Sequence, residues 1–208
     1  MKKLLTSYFL KAFLSVSLFL GICGMANANA NETIRYYDIT VAGFTIGEVK
    51  ATRLIDGDRT EYLVNSLVSL WFFGTLKVEF TIHSTYENGQ FISSRTVSKS
   101  NRGEFLSVLD WDGEKYIVDA NSYKFTNQDT LQNPIFFSTV LMFFEEPKGT
   151  EEFLSENYGL TSPMKRLENE IIEVQIDGNR NKYYFEKGEL VKANMQSPIK
   201  NYVLKRRE

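Results

Sequence analysis

Of 208 residues, only one is a cysteine and one a histidine. Cys23 directly follows the apolar N-terminal run, so the chain beyond it has no thiol. That excludes a disulfide, a thiolate metal site and a cysteine nucleophile there. A lone histidine, His83, excludes a multi-histidine metal site. A Ser-His-Asp triad would have to use it, yet no G-x-S-x-G elbow occurs. With four prolines and thirteen glycines, no stretch reads as a linker, and no internal repeat stands out. Excess positive charge is missing too. Without Lys2, Lys3 and Lys11 the 24 basic residues fall to 21 against 26 acidic ones, and the net charge moves from −2 to −5. Nothing resembles a nucleic-acid footprint.

Those three lysines belong to a distinct leader. Lys2 and Lys3 precede the apolar run Leu4 to Ile22, and "ANANA" supplies small residues for cleavage after Ala28 or Ala30. An uncleaved anchor is the rival, since the run is nearly long enough to span a bilayer. The alanines directly after it favour cleavage. Lipidation of Cys23 would need a small residue before it, where Ile22 stands. Residues 1–30 therefore read as a cleaved signal peptide and 31–208 as a single domain, soluble in the periplasm or outside the cell. About 178 residues suffice for one core without disulfides.

From Ile34 to Val118 the pattern is strands and tight turns. Asp56-Gly57, Asn88-Gly89 and Asp112-Gly113 each lie between runs rich in Val, Ile, Thr, Tyr and Phe, a hairpin signal. In "LKVEFTIHSTY", Leu76, Val78, Phe80, Ile82 and Tyr86 point one way, while Lys77, Glu79, Thr81, His83 and Thr85 point to water. A second set follows Pro163: Glu170 to Ile176, Lys182 to Glu186 and Glu189 to Met195. Asp177-Gly178 and Lys187-Gly188 turn between them.

Between the two sets lies "PIFFSTVLMFFEEP", residues 134 to 147. Its apolar stretch is too short to cross a bilayer as a helix, which needs about twenty residues. Pro134 suits a first helical turn and Pro147 a stop, so a helix near 134–146 is expected. At 100° per residue, Phe136, Phe137, Val140, Leu141, Phe143 and Phe144 form one broad face. Ser138, Thr139, Ile135 and Met142 fall opposite. Burying the four Phe would contribute on the order of 6–12 kcal/mol before entropy. The expected fold is mainly β: a single curved antiparallel sheet, a half-barrel, wrapped around this short apolar helix.

Chemistry-bearing motifs are few. "DWDGE", Asp110 to Glu114, lacks EF-hand spacing and reads as a turn. Ser155-Glu156 reads as surface and capping residues. No carboxylate pair singles out an acid and a base. The expectation is no catalytic residue, no metal, no cofactor and no enzymatic activity.

The segments "FFEEPKGTEEFLSENYG" (143–159), "YYDITVAGFTIGEVKAT" (36–52) and "NKYYFEKGELVKA" (181–193) carry a resemblance. Their F-x-E-P … SE-x-x-G signature is similar to that of an exported family of unknown activity in Bacteroidetes-type bacteria. The resemblance implies a half-barrel with a plugging helix, an outline shared with periplasmic lipoprotein carriers, and no catalytic residues.

The function expected is binding or carriage of an apolar ligand, a lipid or acyl chain, in the concave sheet. Ile135, Met142 and Thr139 would line it, with Trp71, Phe72 and Phe73 of "LWFFG" at the mouth. An envelope scaffold with a protein partner is the alternative and a hydrolase the third. The ligand, the partner and the oligomeric state are left open by the residues.

Overall fold

The computed structural model describes residues 31–70, 76–101, 103–148, 152–167, 170–197 and 200–208. The leader with Cys23, and Trp71, Phe72 and Phe73, lie outside the described residues. Eight strands open the chain: β1 (Asn31–Val41), β2 (Phe44–Asp56), β3 (Arg59–Leu70), β4 (Leu76–Glu87), β5 (Gln90–Ser100), β6 (Gly103–Trp111), β7 (Tyr116–Ser122) and β8 (Phe125–Leu131). Each pairs antiparallel with the next. The predicted turns drive this. Asn88 and Gly89 both adopt positive φ, 50° and 79°, the geometry that matches the twist of flanking strands. Asp112 Oδ1 accepts from the amides of Glu114 and Lys115, so "DWDGE" is a plain turn.

A short insert follows: β9 (Phe137–Ser138), the one-turn helix α1 (Thr139–Met142), β10 (Glu152–Ser155) and β11 (Leu160–Pro163). β9 runs parallel to β10, and β10 antiparallel to β11, giving a small three-stranded sheet. The chain ends with β12 (Lys165–Arg166), β13 (Ile171–Ile176), β14 (Asn179–Glu186), β15 (Glu189–Met195) and β16 (Tyr202–Arg206). β16 pairs with β1, placing Leu204 opposite Ile39. One 13-stranded antiparallel sheet results, in the order β12-β13-β14-β15-β16-β1-β2-β3-β4-β5-β6-β7-β8, and it does not close.

The predicted helix is corrected in extent. Four residues are helical, because the backbone before them is committed elsewhere. The Ile135 carbonyl accepts from the Phe91 amide, the Ile135 amide donates to the Tyr116 hydroxyl, and Phe137 and Ser138 pair with β10. Its two-faced pattern fails as well. Ile135 and Met142, expected opposite the packed stripe, are buried in the core together with Phe137, Phe143 and Phe144, whereas Phe136 is 53% exposed. Ser138 is fully buried. Phe136→Ser should therefore change stability by no more than about 0.5 kcal/mol, read from a urea midpoint. A loss of core-residue size would contradict the placement.

In β4 the predicted alternation holds from Lys77 to Ser84. Thr85, expected in water, is buried at 6% exposure because a bulge between Thr85 and Tyr86 shifts the register with β5.

Rings close the end of the sheet beneath the insert. Phe144, Tyr62, Tyr86, Phe91, Tyr116 and Trp111 follow one another with centroids 4.7 to 5.6 Å apart, the spacing of favourable edge and tilted contacts. Arg35 and Arg53 lie over the Phe144 ring at 5.6 and 5.3 Å. No described helix is long and apolar enough to cross a membrane.

Candidate functional site

Cross-strand register decides which strand ends meet. Thr40 faces Val203, which also faces Asn194, while Gly47 faces Val68 and Val68 faces Val78. The β1–β2 turn, the β3 and β4 ends and the segment after β15 thus gather at one end of the sheet, opposite the ring-filled end. A cavity of about 310 Å3 opens there, at the lower end of the roughly 300–1,000 Å3 of small-molecule sites.

Its walls are apolar. Val64, Val68, Val78 and Phe80 form one side, and Ile176, Met195, Tyr202 and Leu204 another. Phe143, Thr139 and Phe153 form the floor, and the Phe143 ring meets Tyr37 edge-on at 5.3 Å. Ile46 reaches the cavity through a bulge. The β1–β2 register slips between Ile39 and Thr40, skipping Ile46, so Ile46 and Val49 line the same cavity despite their odd spacing. Gly47 makes the bend possible, since a Cβ there would lie 2.1 Å from the Leu67 carbonyl oxygen.

Among the described residues, no lining side chain is Asp, Glu or His, and Lys200 alone carries a formal charge. Burial pushes the phenols of Tyr158, Tyr183 and Tyr202 in the lining upward, Tyr202 to about 12.

Behind the floor sits a carboxyl that the sequence reading placed on the surface. Glu156 is fully buried at the β10–β11 turn. Its Oε1 accepts from Ser138 Oγ at 2.6 Å, the Val140 amide at 3.2 Å and Ser84 Oγ at 3.5 Å, and its Oε2 from the Thr139 amide at 3.0 Å. Tyr86 in turn donates to Ser138 Oγ at 2.6 Å. Burial pushes the Glu156 carboxyl above the usual range, and the bonds from Ser138 and Thr139 pull it back. The same burial, with Glu156's charge beside it, pushes the Tyr86 phenol well up. Ser138 and Glu156 are both sealed from the cavity, so this network holds the floor in place and offers no nucleophile to a guest.

The turn closes on Gly159, at φ 59°, where a Cβ would come 2.3 Å from Val118 Cγ1. The SE-x-x-G motif is thus a buried clasp: a carboxyl at its start, a glycine pressed against β7 at its end.

Of the residues expected at a ligand, Thr139 lines the cavity, while Ile135 and Met142 are core and do not. Trp71, Phe72 and Phe73 lie outside the described residues, although the flanking Leu70 and Leu76 pair just beyond the lining Val68 and Val78. Sequence reasoning missed Ile46, Phe143, Lys200 and Glu156. Only the SE-x-x-G spacing hinted at the last. His83, as expected, is exposed, with Glu61 3.4 Å away. Among the described residues no cluster of three or more His, Cys, Asp or Glu is placed to hold a metal.

Comparison with known proteins gives the family. No curated protein matches the chain. A beta-barrel-like protein of the domain of unknown function DUF1849 from Brucella abortus, seen in a crystal structure, is similar. It is 12% identical over 86% of this chain and 96% of that one, with a TM-score of 0.47. A family model, the domain of unknown function DUF6134, matches residues 37–207. That span includes every described residue that lines the cavity, and the chain belongs to the DUF6134 family.

Proposed function

We propose that the protein is exported to the cell envelope and binds an apolar chain, such as an acyl group, in the open end of its sheet. One observation carries this. Ile46, Val68, Phe80, Met195 and Tyr202 face inward yet stay only partly buried, because the space they enclose is unfilled. Inward apolar surface left open to water is costly, and a guest that covers it gains about 25 cal/mol per Å2. The leader supports export.

A fluorescent fatty acid tests this reading. Uptake by the mature protein should raise its emission, and Val68→Trp, which fills the cavity from the β3 wall, should weaken uptake at least ten-fold. Far-UV circular dichroism should stay that of a β protein. An absence of uptake, or equal uptake by the filled variant, would remove the proposal.

A scaffold role has one observation in its favour. The unclosed sheet ends in β8 and β12, whose outer backbone edges can add a partner strand. Native mass spectrometry of protein purified without detergent separates the two: bound lipid supports carriage, and a stoichiometric protein partner supports a scaffold.

A further inference from the structure

The rim of the cavity is built of hydrogen-bond donors. Asn181 and Gln196, both in its lining, have their amide oxygens occupied by backbone. Asn181 Oδ1 accepts from the Gln196 amide at 2.9 Å, and Gln196 Oε1 accepts from the Arg180 amide at 2.7 Å. Those bonds fix which way each side-chain amide is turned, so each leaves an NH2 group to present. Neither NH2 group has a hydrogen-bond partner among the described residues.

Lys200 adds an ammonium with three donors and no acceptor. It is exposed and forms no ion pair among the described residues, although the chain has more acidic than basic side chains available. By contrast, Arg206 and Arg35 are committed to Glu189, and Arg207 to Asp38 and Glu48. Lys200 is therefore an uncommitted cation beside two amide donors, at the polar rim of an apolar hole. Among the described residues, no carboxylate in the lining opposes it.

Resting on the apolar-ligand reading, we infer that the guest is a single-chain amphiphile with an anionic oxyacid head. Lys200, Asn181 and Gln196 hold the head at the rim, and the chain runs down to Phe143 and Thr139. A volume of about 310 Å3 suits one chain rather than two. The head can be a carboxylate or a phosphate monoester, since both offer acceptors only, and donors from an ammonium and two amides match either.

The test uses four ligands of one chain length: dodecanoate, dodecyl phosphate, dodecanol and dodecylamine. Each competes with a neutral, polarity-sensitive naphthylamine dye for the mature protein. One or both anions should displace the dye at concentrations at least ten-fold below dodecanol, and the stronger anion names the head. Dodecylamine should be weakest. Lys200→Glu should erase the preference for anions and improve dodecylamine, with unfolding excluded by circular dichroism. Equal displacement by dodecanol and both anions, or an anion preference that survives Lys200→Glu, overturns the headgroup assignment while dye binding leaves the apolar cavity standing. A protein that binds neither dye nor any dodecyl ligand overturns both.

Discussion

Glu156→Leu is expected to cost more stability than any surface change and to leave the protein largely unfolded at moderate urea. Leucine occupies similar space but accepts nothing. Ser138 Oγ and the amides of Thr139 and Val140 would lose their acceptor inside the core, and each orphaned buried donor costs about 1–3 kcal/mol. Three such losses rival the roughly 5–15 kcal/mol that holds a domain together. Glu156→Gln should do less harm, because it retains one acceptor oxygen and sets its NH2 against donors.

The pair of variants also has a pH signature. A carboxyl held above its ordinary value in the fold binds its proton more tightly there than in the unfolded chain. Its contribution is most favourable below about pH 4.3. It is then lost as pH rises through the folded value. The wild type minus Glu156→Gln difference in unfolding free energy should therefore fall from pH 4 towards neutrality. The difference is the proper quantity, because other carboxylates slope the opposite way. Bonds from Arg59 and Arg206 hold Glu61 and Glu189 below the usual range, as do the Lys115 and Glu114 amides for Asp112. A rising difference would mean that Glu156 is stabilised as an anion, and a flat one that folding leaves its proton affinity unchanged.

Gly47→Ala is the second large effect. The added methyl would lie 2.1 Å from the Leu67 carbonyl oxygen, 2.9 Å from Val68 Cα and 3.0 Å from the Leu67 carbonyl carbon. All three are backbone of β3, so no side chain can swing aside and the two strands must part. Overpacking of this kind costs about 1–3 kcal/mol, and a backbone clash belongs at the upper end. Because the same bend aims Ile46 into the cavity, uptake of the fluorescent fatty acid should fall with stability. Equal stability of the two proteins in urea would show that the β2–β3 approach is looser than described.

Much of the sheet was legible because its signals are local. Asn88-Gly89 and Asp177-Gly178 dictate hairpins, and β4 alternates until its bulge. The insert was not legible for the opposite reason. "PIFFSTVLMFF" has the composition of a buried helix, but its backbone bonds go to Phe91, Tyr116, Phe153 and Glu156, partners that periodicity cannot see. Glu156 itself looks like any surface glutamate until Ser84, 72 residues away, is folded against it. The inward faces of the cavity walls could be counted in the sequence. Which of them stay unfilled depends on where Phe143 and Phe153 stop.

The pairing of β1 with β16 has a consequence for the order of folding. Thr40 and Val203 are 163 positions apart, and Asp38 and Arg207 169. Contacts so distant in sequence are entropically dear to form and make folding slow. Until β16 arrives, β1 is a bare edge and the cavity lacks the wall that carries Tyr202 and Leu204. A chain threaded through a membrane from its N-terminus would emerge as an incomplete meander, and only β16 would supply the missing seam. Pairing of β16 with β1 and completion of the cavity wall are thereby the same event.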